Sequence, residues 1–266
     1  MKTAMSRSKG VALVTGSAQG IGRAIAIRLA QDGFDVALND LPVKNAALED
    51  LAAEIQRGGE SEGSYHPKTC VVAGDVSKED EVKRMIDTAV DELGSLNVMV
   101  ANAGIMVTTN ILTATVEDWE RIMTVNATSA FLCYKYAAMQ MVKQGCGGRI
   151  IGASSIAGKQ ASANSPPYSA SKFAIRGLTQ AAALQLGRNG ITVNSYAPGA
   201  TETPMMAAVR AQDAKQDAKI QETIDASAVG YIGQPEDIAS AVSYLASEEA
   251  HFITGKLLNQ HVSNAN

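Results

Sequence analysis

The sequence predicts an α/β protein built on a doubly wound, seven-stranded parallel sheet with helices on both faces. Three observations carry that reading. Seven short apolar runs alternate with longer amphipathic segments, the pattern of strand–helix–strand crossovers. The runs are apolar almost throughout rather than at every second residue, as strands covered on both faces are. A glycine-rich turn follows the first run directly, where such a sheet passes from its first strand to its first helix.

Taken in order, VALVT (11–15) leads through the glycine turn into a helical segment over 21–33, closed by Gly33. DVALN (35–39) is the second strand. A polar stretch over 57–68 reads as a surface loop before TCVVA (69–73). Residues 77–94 are expected to form a helix opened by a Ser77 cap. NVMVA (97–101), RIIGA (149–153), ITVNS (191–195) and GKLLN (255–259) complete the strands, with Ala-rich helices over 117–144 and 167–188. Residues 200–233 are helical in pattern but polar, and read as a mobile cover. No repeat, low-complexity tract or linker interrupts the chain, so residues 1–266 are read as one domain.

Composition narrows the function. The chain is 46% apolar and 19% charged with a formal net charge of −4, which supplies a core and offers no basic stripe for nucleic acid. No apolar run approaches a membrane span, and no signal core or lipidation motif is present, so a cytoplasmic location is expected. Three cysteines without a CxxC pair read as reduced thiols. Three scattered histidines make no metal site, and no metal is expected.

The turn TGSAQGIG holds Gly16, Gly20 and Gly22 between a strand and a helix. A pyrophosphate reaches backbone N–H groups at a helix N-terminus only where no Cβ stands in the way. Asp40 ends the second strand, 18 residues past Gly22. An acidic residue there accepts from ribose hydroxyls and repels an extra phosphate. Ser17, Ala18, Gln19 and Leu41 provide no cation for that phosphate, so NAD is favoured over NADP. The plainer reading of Asp40 is a turn residue before Pro42.

In SPPYSASKFAI (165–175), Tyr168 and Lys172 stand four apart on one helix face, behind Pro166 and Pro167 at the helix start. A phenol titrates near pH ~10, and a neighbouring ammonium favours its ionised form. The pair is therefore expected to lower the phenol's pKa towards a working acid–base range. Ser155 lies 13 residues earlier, at the end of the fifth strand, where open parallel sheets bind ligands. Its hydroxyl there can donate to a carbonyl or accept from an alcohol. Taken alone, a Tyr/Lys pair at this spacing is ordinary helix surface.

TGSAQGIG, GDV (74–76), NAG (102–104), VNATSAF (125–131), IIGASSIAG (150–158), YSASK (168–172) and NSYAPG (194–199) occur in that order. Together they make the chain resemble the short-chain dehydrogenase/reductase family over residues 8–259, with its Rossmann-type fold. The resemblance implies a catalytic set of Asn126, Ser155, Tyr168 and Lys172. It assigns the substrate hydroxyl to Ser155 rather than Ser154, and a water relay from Lys172 to Asn126. For Asn126 a buried amide that satisfies backbone is the plainer role. The implied nucleotide contacts are Gly16, Gln19, Gly20, Ile21, Gly22, Asp40, Asp75, Val76, Asn102, Gly104, Tyr168, Lys172, Pro198, Gly199, Thr201 and Thr203.

Substrate contacts are expected from Ser155, Tyr168, Gln160, Met205 and Met206, among Ile105, Met106, Ile156, Ala157 and Ala163. Within the family the motifs are most similar to acetoin (diacetyl) reductases and butanediol dehydrogenases, which implies an NAD(H)-linked exchange of secondary alcohol and ketone. A dehydrogenase of specialised metabolism acting on a bulky cyclic or terpenoid alcohol is the second reading. A non-catalytic nicotinamide-binding scaffold is a third, of another class. The resemblance also implies a homodimer or homotetramer, which the apolar 117–144 and 167–188 helices could join, although a buried intramolecular face explains those helices too and the ending ITGKLLNQHVSNAN departs from the family's usual VDGG-like close.

Overall fold

The structure, a computed structural model, describes residues 7–58, 65–211, 214–225 and 227–259. Its centre is a parallel sheet of seven strands: β1 (Val11–Thr15), β2 (Asp35–Asn39), β3 (Thr69–Val71), β4 (Val98–Ala101), β5 (Gly148–Ala153), β6 (Ile191–Ala197) and β7 (Leu257–Asn259). They lie in the order β3-β2-β1-β4-β5-β6-β7, all parallel. The order reverses between β1 and β4, which opens a crevice at the carboxyl ends of the strands.

The unbroken apolar runs are explained by two cores. Alternate residues of one strand serve opposite faces: Ala12 and Val14 belong to one buried cluster, Leu13 to the other. The first core is covered by α1 (Gly20–Gln31), α2 (Asn45–Gly58) and α9 (Pro235–Ala246). The second is covered by α3 (Glu79–Leu93), α5 (Ser129–Gln144) and α6 (Pro166–Leu186).

Several boundaries differ from the sequence reading. Ser77 does not cap α3. Its hydroxyl and N–H both donate to Asp75 Oδ1, at 2.7 and 3.0 Å, and the helix starts two residues later. The start is stabilised instead by Glu79, Asp80 and Glu81 in the first turn, where carboxylates meet the positive end of the helix. β3 stops at Val71 because the Asn39 side chain then takes over, with Nδ2 donating to the carbonyls of Val72 at 2.9 Å and Gly74 at 3.2 Å. β6 runs on to Ala197, since β7 pairs with its last three residues.

The 117–144 helix is not uniform. α4 (Val116–Ile122) passes into a π-helical stretch, Met123–Thr128, before α5. Such wide turns often mark functional places in a helix. The expected cover consists of two helices, α7 (Pro204–Arg210) and α8 (Ala214–Asp225), tied by an ion pair of Arg210 with Asp217 at 3.4 Å. Of the expected loop over 57–68, residues 59–64 lie outside the described residues, as does the tail from 260.

Candidate active site

Local sequence shapes the nucleotide end first. Gly16 and Gly20 take φ of +65° and +56°, a region that other side chains rarely enter. A Cβ on Gly22 would stand 2.2 Å from the Gly16 carbonyl oxygen, so only glycine lets α1 start against β1. Gln19 flanks the helix start without a side-chain cap, and no acidic residue occupies the first turn. The N–H groups there are left for an anion. Asn102 bolts the turn in place: Nδ2 donates to the carbonyls of Thr15 (2.9 Å) and Gly16 (3.2 Å), and Oδ1 accepts from the Tyr196 hydroxyl at 2.8 Å.

A cavity of about 540 Å³ runs along the carboxyl ends of the strands, within the usual size of a small-molecule site. Gly16, Gln19, Gly20, Ile21 and Gly22 line it after β1, Asp40 after β2, Asp75 and Val76 after β3, and Asn102 and Gly104 after β4. Pro198, Gly199, Thr201 and Thr203 line it after β6. The structure thus brings every sequence-predicted nucleotide contact to one cavity. Asp40 Oδ2 accepts from the Ala18 N–H (3.1 Å) and Oδ1 from that of Leu41 (2.8 Å), so its carboxylate is both a turn anchor and a wall of the cavity. Asn39 beside it is buried, and its Oδ1 has no partner among the described residues. Uncapped N–H groups, a glycine cradle, an acid at the second strand's end and an orphaned amide oxygen together fit a dinucleotide.

The chemical end lies across the same cavity. Ser155 stands two residues beyond β5, where its Oγ accepts from the Ala157 N–H at 3.1 Å and so fixes the short turn Ile156–Gly158. Ser154 faces the helix instead, donating to the Lys172 carbonyl at 3.0 Å. Pro166 and Pro167 start α6, and Tyr168 and Lys172 follow on one face. Lys172 Nζ lies 5.4 Å from the centre of the Tyr168 ring and donates to the Ala153 carbonyl at 2.7 Å.

Titration departs from the sequence expectation. Burial raises the Tyr168 phenol above its ordinary value, and its hydrogen bond with Ser155 opposes this only in part. Burial also lowers Lys172 to about 8. The expected lowering of the phenol by the ammonium is therefore not found in the protein alone. Desolvation is the leading cause of the shift in both groups.

Two further expectations, for Gln160 and Ala163, are corrected, while Asn126 takes the plainer of its expected roles, a buried amide that satisfies backbone. Asn126 lies in the π-helical stretch but does not line the cavity. Its Oδ1 accepts from the Ile105 N–H (2.8 Å), while Nδ2 donates to the Ile105 carbonyl (2.9 Å) and Ser171 Oγ (3.0 Å). The side chain is 1% exposed and clamps the strand-end loop beside Lys172. Gln160 is exposed and off the cavity wall. Ala163 also faces out, while its neighbours Ser162 and Asn164 face in. Met205, Met206, Ile105, Met106, Ile156 and Ala157 line the cavity as expected.

Sequence reasoning missed Ser162, Asn164, Val209 and Ile220 on the wall. Their signals were periodic: one extended segment alternating about Ala163, and one apolar helical stripe at 205, 206 and 209. It also missed Lys44, whose Nζ donates to Gln19 Oε1 at 3.3 Å beside the nucleotide turn. A three-residue helical turn, Pro42–Lys44, folds that cation back.

Fold and cavity together define a doubly wound α/β protein with a site that fits a dinucleotide at its switch point. A protein-family model described as enoyl-(acyl carrier protein) reductase matches residues 16–260. A short-chain dehydrogenase/reductase of Armillaria gallica is 49% identical over 97% of this chain and 96% of its own length. An L-2,3-butanediol dehydrogenase of Corynebacterium glutamicum is 41% identical over 93% and 95%. The solved structure of the acetoin dehydrogenase YohF from Salmonella typhimurium is 32% identical, covers 94% of this chain and 93% of its own, and superposes with a TM-score of 0.81. The chain belongs to the short-chain dehydrogenase/reductase family, whose members are nicotinamide-dependent oxidoreductases.

Proposed function

We propose that the protein is an NAD(H)-dependent oxidoreductase that interconverts a small secondary alcohol and its ketone, of the acetoin or diacetyl kind. The observation that carries this is the meeting of Ser155, Tyr168 and Lys172 on one wall of the cavity whose other end holds the glycine turn and Asp40. When bound, a nicotinamide cofactor supplies or accepts the hydride. Ser155 and Tyr168 hold the substrate oxygen, Ser155 polarising it and Tyr168 delivering or removing its proton. The phenol is neutral at physiological pH, which suits it as the acid in ketone reduction. Lys172, fixed on the Ala153 carbonyl, would hold the nicotinamide ribose and keep positive charge beside the phenol below about pH 8. Asn126 positions the loop at Ile105 that faces both.

NAD rather than NADP is supported by the Asp40 carboxylate on the cavity wall, with no Arg among the lining residues. The relatives named for butanediol and acetoin support the small substrate. A second reading, a bulky cyclic alcohol, is favoured by the apolar cover of Met205, Met206, Val209 and Ile220. Absence of any helix long and apolar enough to cross a membrane, among the described residues, accords with a cytoplasmic enzyme. A homodimer or tetramer accords with apolar side chains left exposed on α5 and α6.

The test follows nicotinamide absorbance with NADH and NADPH in parallel, on diacetyl, acetoin and cyclic ketones. Turnover of at least one of these ketones with an NADH preference is expected. Tyr168→Phe should lower kcat by roughly a thousandfold or more while NADH binding stays within a fewfold, since positioned acid–base groups and their network supply factors of this order. Full activity in that variant would overturn the mechanism.

A further inference from the structure

Tyr196 carries a polar group that the proposed chemistry does not use. It stands on β6, two residues before Pro198, and is fully buried in the floor of the cavity. Its ring belongs to the first core, with Val14, Ala18 and Ile238. Its hydroxyl leaves that core and donates to Asn102 Oδ1 at 2.8 Å, in the loop after β4. In the sheet, β6 is three positions from β1, whose end carries the glycine turn.

Asn102 takes its orientation from that donor. Its Nδ2 serves the carbonyls of Thr15 at 2.9 Å and Gly16 at 3.2 Å. Turned over, the amide would aim its oxygen at two carbonyl oxygens, so the phenol selects the one arrangement that holds the turn. Little slack surrounds it: an added Cβ would stand 3.0 Å from Asn102 Nδ2 on Gly16 and 2.5 Å from it on Gly22. Burial raises the Tyr196 phenol above its ordinary value, so it keeps its proton and remains a donor at physiological pH. Without the hydroxyl, Asn102 Oδ1 loses its donor in a partly buried place, and the amide regains one by turning away from the carbonyls it holds.

We infer that the Tyr196 hydroxyl is a positioning group for the dinucleotide: through Asn102 it holds the turn at Gly16 in the shape that meets the pyrophosphate, and so sets cofactor affinity from a distant strand. A turn fixed beforehand binds without first being ordered. The inference rests on the dinucleotide reading of the cavity and adds to it a residue that acts through another side chain.

The test measures binding to the free enzyme, by NADH fluorescence and by competition with ADP-ribose. Wild type is compared with Tyr196→Phe, which keeps the ring and its packing, and with Tyr134→Phe. Tyr134 is a matched control: a buried phenol of the second core, off the cavity wall, whose hydroxyl pairs with Thr179 Oγ1 at 3.0 Å. Tyr196→Phe should raise Kd roughly tenfold, equally for NADH and ADP-ribose, while kcat at saturating NADH and the Kd of Tyr134→Phe stay within about twofold of wild type, the scale of one lost hydrogen bond. Asn102→Ala should raise Kd at least as much, and adding Tyr196→Phe to it should raise Kd no further. Equal Kd in wild type and both Phe variants would overturn the positioning role and leave the bond a merely stabilising one. So would a rise for NADH without one for ADP-ribose, or a further rise in the double variant, since neither passes through Asn102 to the pyrophosphate turn. A wild-type protein that binds neither NADH nor NADPH would overturn the dinucleotide reading itself, and this role with it.

Discussion

Lys172 decides much of the chemistry at the scale of one residue. It is 4% exposed, with its ammonium on a single carbonyl and a phenol at its side. Burial disfavours the charged form and brings its pKa down from 10.5 to about 8. The sign of the stability effect follows. Below about pH 8 the folded and unfolded chains both carry the proton, and the folded state bears the full cost of the buried charge. Between about 8 and 10.5 the unfolded chain holds a proton that the folded chain has released, so this group's contribution to stability rises with pH. Urea midpoints of the cofactor-free protein should show it. The advantage of Lys172→Met over wild type should be largest near pH 7 and shrink by pH 9.5. A difference that does not change with pH would mean that Lys172 titrates as an ordinary lysine.

Elements translate such residues into a site. The π-helical stretch between α4 and α5 brings Asn126 against the backbone of Ile105, in the loop after β4. An added Cβ on Gly104 would sit 3.1 Å from Asn126 Oδ1 and 3.4 Å from Lys172 Nζ, so three elements crowd around that one glycine. Asn126→Ala would leave the Ile105 N–H and carbonyl, both partly buried, without their present partners. We expect a loss of about 2–3 kcal/mol, on the scale of unsatisfied buried polar groups, read as a lowered urea midpoint with an unchanged slope. A midpoint equal to wild type would show that the clamp is redundant. The same element explains a limit of the sequence reading. NATSAF was legible as a motif, but the widened helical turn that aims Asn126 depends on packing against α6, through Ser171.

At the scale of the whole molecule, α5 and α6 leave one set of apolar groups uncovered. Phe131, Met139 and Val142 share a face of α5, while Phe173 and Leu184 lie on α6, with Leu184 88% exposed. Gly177 has open space above it, which permits close approach of another helix. Phe131→Glu combined with Leu184→Glu should convert the proposed dimer or tetramer to smaller species in sedimentation velocity, with helical content retained. An unaltered sedimentation coefficient would place the assembly elsewhere.

By itself, the sequence determined the α/β class, the near bounds of the strands, the glycine turn and the shared helix face of Tyr168 and Lys172, because these depend on local rules, while the grouping of Ser155 with that pair rested on the family resemblance. Apolar runs mark buried strands, only glycine accepts the turn's backbone angles, and residues four apart share a helix face. Tertiary structure alone decided which side of a segment faces the cavity, and what burial does to a charge. Gln160 and Ala163 turn outward while Ser162 and Asn164 turn inward, since Ser169 and Thr109 hold that segment from two other elements. Tyr168 and Lys172 stand as neighbours on any helix, but their shifts follow from the sheet and loops that exclude water around them. Local geometry is written in spacing along the chain; orientation and desolvation arise from residues far apart in it.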